Sequence, residues 1–155
     1  MKKVLSLTLV LLMLAVLLTG CNSTKEYTCQ NLTITVPSYL EDASDESTFS
    51  KFTFALDSSK MAIFGTKEEL KGSAPTLDDY VELVVLANNY KSNSFSRKGD
   101  YYYHEYSAMV DGENCNYMIG LYDDGSAYWM IQIGAPSDKY EQSTALEILD
   151  SVKFS

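Results

Sequence analysis

The stretch YYYHEYSAMVDGENCNYMIGLYDDGSAYWMIQIGA, Tyr101 to Ala135, decides the fold. It is rich in tyrosine and isoleucine, which suit a pleated, half-buried surface. Asp111-Gly112 and Asp124-Gly125 divide it into three runs, and Asp-Gly readily takes the positive φ angles of two-residue hairpin turns. Three antiparallel strands are therefore expected. With a two-residue turn at each hairpin, Tyr106 lies opposite Tyr117, Ile119 opposite Met130, and Gly120 opposite Trp129, where the missing side chain leaves room for the indole. One sheet face then carries Cys115, Tyr117, Ile119, Leu121, Tyr128 and Met130. The other carries Met118, Tyr122, Trp129, Ile131 and Ile133. A sheet wet on one side alternates between apolar and polar residues; here both faces are apolar, so cover is expected on both.

The flanking sequence supplies that cover. Thr76 suits a helix N-cap, with Asp78 and Asp79 in the first turn, and Tyr80, Val84 and Ala87 fall at helical spacing over about 77–90. Ser137, after Pro136, is the expected cap of a second helix through Tyr140, Thr144, Ile148 and Val152. Upstream, Leu32, Ile34 and Val36 alternate with threonines as a strand ended by Pro37. Phe52, Phe54 and Leu56 form another strand, and Asp57 to Lys60 reads as a hairpin turn into Met61 to Thr66. The expected fold class is α+β, an antiparallel sheet of about six to seven strands with helices on both faces.

The N-terminus reads as a lipoprotein signal peptide over residues 1–20. Lys2 and Lys3 precede an apolar run from Val4 to Leu18, which falls short of the roughly 18 to 20 residues a membrane span needs. It ends in Leu18-Thr19-Gly20-Cys21, a bacterial lipobox in pattern. Cleavage between Gly20 and Cys21 would leave a lipidated cysteine as the mature N-terminus. Two or more acyl chains anchor stably where one binds marginally. Residues 21–31, lacking periodicity, read as the lipidated end and a tether, and residues 32–155 as one domain. Without Lys2 and Lys3 the chain keeps 10 basic residues against 21 acidic ones. That balance repels phosphate backbones and excludes nucleic acid as a partner. The membrane, reached through the lipid anchor, and a protein in the envelope are the expected partners. The expected location is the outer face of the bacterial cytoplasmic membrane.

The order of elements resembles the PsbP-like domain of photosystem and exported bacterial proteins. The resemblance runs over Leu32 to Pro37, the helix start Thr76-Leu77-Asp78-Asp79-Tyr80, the aromatic meander and the close Asp150-Ser151-Val152-Lys153-Phe154. Where members often carry Pro-x-x-Trp, Pro37 is followed by Ser38, Tyr39 and Leu40. The resemblance implies an α/β/α sandwich used as a binding or accessory module, without catalytic residues.

Candidate chemistry is sparse. His104-Glu105 opens an H-E-x-x-H pattern, but Ala108 stands where the second histidine belongs and the segment reads as strand. No catalytic set, metal site or cofactor is expected. Glu41, Asp42, Asp45 and Glu46 read as a solvated loop rather than a calcium site. Cys29 and Cys115 are a candidate disulfide, the alternative being two buried thiols. Tyr101, Tyr103 and Tyr106 are a candidate binding surface for a glycan or a protein, the alternative being a two-sided core. The function expected is a non-enzymatic envelope binding module; a small-solute receptor and a hydrolase are the competing classes.

Overall fold

The computed structural model describes residues 23–43, 52–55 and 61–155, with the backbone alone at 52, 54 and 55. The turn expected at Asp57 to Lys60, and Asp45 and Glu46 of the acidic loop, lie outside the described residues. At the centre is the meander of β7 (Tyr101–Val110), β8 (Glu113–Asp123) and β9 (Tyr128–Pro136). In its first hairpin Val110 pairs with Glu113, and Asp111 and Gly112 take φ of 50° and 84°. Tyr106 faces Tyr117, as the two-residue turn requires. The second hairpin differs. Asp123 pairs with Tyr128 across a loop of Asp124 to Ala127, so Met130 faces Leu121, Trp129 faces Tyr122, and Gly120 faces Ile131. The slip is two residues, and because side chains alternate with period two, the face of every residue is unchanged.

Around the meander runs a seven-stranded sheet in the order β3-β4-β5-β9-β8-β7-β6, with β3 Glu41–Asp42, β4 Phe52–Ala55, β5 Ala62–Glu68 and β6 Ser96–Lys98. Every pairing in it is antiparallel. The Leu32–Pro37 strand, expected in this sheet, instead centres a second, three-stranded one: β1 (Thr24–Cys29), β2 (Leu32–Pro37) and β10 (Lys153–Phe154). The stretch read as a tether thus contains a strand. Its side chains are mostly exposed, and an edge strand held by backbone pairing needs no apolar alternation, which is why periodicity missed it. Gln30, at φ 55°, turns the chain into β2, whose Leu32, Ile34 and Val36 are fully buried.

Helix α1 (Leu77–Ala87) begins in a capping box: the Asp79 amide donates to Thr76 Oγ1 at 3.2 Å, and the Thr76 amide donates to Asp79 Oδ2 at 2.9 Å. It ends at Asn88, with Asn89 at φ 54°. Helix α2 (Gln142–Asp150) starts later than its sequence suggests, with Glu141 rather than Ser137 at the N-cap. Ser137 is still tied to the sheet, its amide donating to Asn114 O at 2.8 Å, because β9 runs on through Pro136. Successive β8 residues enter different clusters. Met118 and Tyr122 pack with Trp129, Ile131 and Ile133 and with Ala145, Ile148 and Leu149 of α2. Ile119 and Leu121 pack with Tyr128 and with Tyr80 and Val84 of α1. Gly120 makes room for α2 rather than for Trp129: a Cβ there would lie 2.7 Å from Leu149 Cδ2 and 2.8 Å from Tyr122 Cε2. Among the described residues, no helix is long and apolar enough to cross a membrane.

Candidate functional site

The three tyrosines of the candidate surface do not form one. Tyr101 is 7% exposed inside the α2-side cluster, with Tyr103 packed against its edge. Tyr106, one residue out of phase, lies with the α1-side cluster. Tyr101 donates its hydroxyl to Asp150 Oδ1 at 2.7 Å and so ties β7 to the end of α2. Burial and then the Asp150 hydrogen bond push its phenol well above the ordinary tyrosine value. Tyr106 stacks on Tyr117 at 5.1 Å and accepts from Gln132 Nε2 at 2.9 Å. This cluster also encloses His104, whose ring lies 4.7 Å from Tyr90 and 5.2 Å from Phe95. Its Nδ1 is 2.9 Å from Ser94 O. A carbonyl only accepts, so Nδ1 carries the proton and that nitrogen is committed to the backbone.

No bond joins Cys29 to Cys115. Cys29 ends β1 and packs on the α2-side cluster, whereas Cys115 shares the opposite sheet face with Tyr117. The seven-stranded sheet lies between them, a separation that residue spacing could not reveal. Gly20 and Cys21 lie outside the described residues.

Asp124 is a residue whose role the sequence understated. Asp-Gly suits a two-residue turn, but the Asp124 side chain is fully buried. Oδ1 accepts from the Ser126 amide and hydroxyl, both at 2.8 Å, and from the Ala127 amide at 2.6 Å. Oδ2 accepts from Asn31 Nδ2 at 3.1 Å and Trp129 Nε1 at 3.0 Å, and pairs with Lys67 at 3.1 Å. Burial pushes its pKa up, but the hydrogen bonds from Ser126, Ala127 and Asn31 outweigh it and hold the carboxyl far below the usual range. One carboxylate thus closes the β8–β9 loop, sets the register and ties in β5 and the β1–β2 turn.

A concave site lies elsewhere among the described residues. A groove of about 470 Å³ runs between α2 and the β1–β2 hairpin, within the 300–1,000 Å³ range typical of small-molecule sites. Met61 and Ile148, both nearly buried, lie in its lining with Pro37. Tyr39, 46% exposed, stands beside Glu141; burial first and that carboxylate second push its phenol up. Thr24, Thr35, Thr144 and Ser151 add hydroxyls, and Glu147 and Lys139 add charges. Ser151 holds the wall in place, accepting from the Thr35 amide at 2.9 Å and donating to Ile148 O at 2.6 Å. Thr144 donates to Glu141 Oε2 at 3.1 Å, and Lys139 pairs with Asp138 at 2.7 Å. These residues come from three separated segments, so no local motif marked the groove; the Thr35 alternation and the α2 spacing predicted its walls but not their meeting.

No family model and no curated protein sequence matches this chain. Solved structures do. A protein from Bacteroides thetaiotaomicron is similar with a TM-score of 0.59 and 14% identity, over 84% of this chain and 48% of that one. This chain therefore spans about half of that protein's length. The Ran-binding protein Mog1p of Saccharomyces cerevisiae is similar with a TM-score of 0.56 and 11% identity, over 85% of this chain and 95% of Mog1p. A Mog1 mutant structure gives the same TM-score and identity. At these identities the likeness is one of fold alone, and it is consistent with the PsbP-like resemblance.

Proposed function

We propose that this chain is an exported bacterial lipoprotein anchored through Cys21, and that its PsbP-like α/β/α sandwich acts outside the cytoplasmic membrane as a non-enzymatic binding or accessory module for a protein partner. The observation that carries this reading is the placement of Leu18-Thr19-Gly20-Cys21 at the end of an apolar run, with β1 beginning at Thr24. Only Cys21 to Ser23 then separate the lipid from the fold, a reach of at most about 10 Å. The domain would lie against the headgroups rather than on a stalk. The protein-partner part is supported at the level of fold by the description of Mog1p as a Ran-binding protein.

Fatty-acid labelling in cells tests the anchor. The wild-type chain should take up label and fractionate with membranes, and Cys21→Ala should do neither; equal labelling of both would overturn it. Crosslinking on membranes followed by mass spectrometry tests the partner, and recovery of no specific protein would count against an accessory role. A small-solute receptor is the second reading, favoured by the groove beside α2.

A further inference from the structure

We propose that the groove between α2 and the β1–β2 hairpin binds an N-acetylhexosamine unit of a glycan. The proposal rests on the receptor reading of that groove and is independent of the anchor. Its lining combines three chemistries that such a ligand needs together. Tyr39, 46% exposed, offers an aromatic side chain, and an aromatic face packs on the apolar C–H face of a pyranose. Thr24, Thr35 and Glu147 line the groove without a side-chain hydrogen bond to another described residue, so they remain available to sugar hydroxyls. A carboxylate accepting from a hydroxyl or amide makes the stronger, charge-assisted kind of hydrogen bond. Met61 and Ile148 are 6% and 4% exposed, an apolar floor that fits the methyl of an acetamido group.

The charges disfavour an anionic ligand. Glu141 and Glu147 share the lining with Lys139, so both signs meet there. Glu141 is already engaged by Thr144, and Lys139 by Asp138. An anion would meet the two carboxylates, whereas the hydroxyl and acetamide N–H groups of a neutral sugar can donate to them.

Isothermal titration of the full chain in detergent, with N,N′-diacetylchitobiose, cellobiose and cadaverine as probes, tests this. Diacetylchitobiose should bind, and cellobiose, which lacks the acetamides, should bind about tenfold more weakly or worse. Tyr39→Ala and Glu147→Gln lie at exposed positions and should each weaken diacetylchitobiose binding by about tenfold with an unchanged melting temperature. Thr144→Val, nearly isosteric, should weaken it less and serves as a second, fold-preserving variant. No diacetylchitobiose binding, unchanged affinity in Tyr39→Ala, equal affinity for cellobiose, or tighter binding of cadaverine would each overturn the proposal. Lipid labelling and partner recovery can fail without touching this measurement, and the reverse also holds.

Discussion

At the scale of single residues, Asp124 has the sharpest consequences. Its ring of donors comes from the β8–β9 loop, β5, β9 and the β1–β2 turn, and removing the carboxylate leaves the Ala127 amide and the Trp129 indole without their acceptor where the chain is buried. Asp124→Ala is expected to cost about 3–5 kcal/mol, the usual penalty for breaking a buried, hydrogen-bonded ion pair. Chemical denaturation measures it, and a loss within experimental error would show the network to be ornamental. The pH dependence follows from the sign of the shift. The folded-state pKa is depressed, so the stabilisation is fully present above the unfolded aspartate value of about 3.9 and declines as pH falls below it. Wild-type stability should therefore fall more steeply below about pH 4 than that of Asp124→Asn; parallel curves would contradict the assignment. Tyr101 is the second residue of this kind. Tyr101→Ala should cost about 3–5 kcal/mol through lost packing, whereas Tyr101→Phe should cost about 1 kcal/mol for its bond to Asp150. A surface residue would show neither loss.

Among the elements, the contact between β8 and α2 depends on a missing side chain. Leu149 and the Tyr122 ring occupy the space where a Gly120 side chain would begin, and neither can withdraw easily. Leu149 is fully buried, and Tyr122 donates its hydroxyl to Leu149 O at 2.9 Å. Gly120→Ala should destabilise by about 1–3 kcal/mol through overpacking. Gly72→Ala, with open space around it, should be neutral or slightly stabilising because it restricts the unfolded chain. Similar melting temperatures for the two variants would sink this account. Gly120 was legible as a special position in the sequence, but the partner read from it was Trp129, and the partner is α2. That error and the two-residue register slip have one origin. Asp124-Gly125 suits a two-residue turn, but the loop is longer because the Asp124 side chain draws the Ser126 and Ala127 amides inward.

For the whole molecule, the three-stranded sheet joins the two ends of the described chain. β10 pairs with β2 at Leu32 and Thr33, the Ser155 amide donates to Asn31 O at 3.0 Å, and Phe154 meets Tyr122 edge-on at 6.1 Å. Deleting Val152 to Ser155 should cost about 2–3 kcal/mol, mostly through the half-buried Phe154. Hydrogen exchange should quicken at Thr33 while the centre of β8 stays protected; uniform protection would argue against this closure. The meander, its first register, the two faces of β8 and β9, the α1 cap and the α+β class were legible in the sequence. Those features depend on local periodicity and on turn residues, which act over a few positions. Long-range packing decided that Leu32–Pro37 leaves the main sheet, that Thr24–Cys29 pairs with Leu32–Pro37 as an edge of the smaller sheet, that Tyr101 and Tyr106 part to opposite faces, and that Asp124 anchors four segments. Only it assembled the α2 groove. Each of these depends on contacts between residues far apart in the chain, whose partners no local pattern specifies.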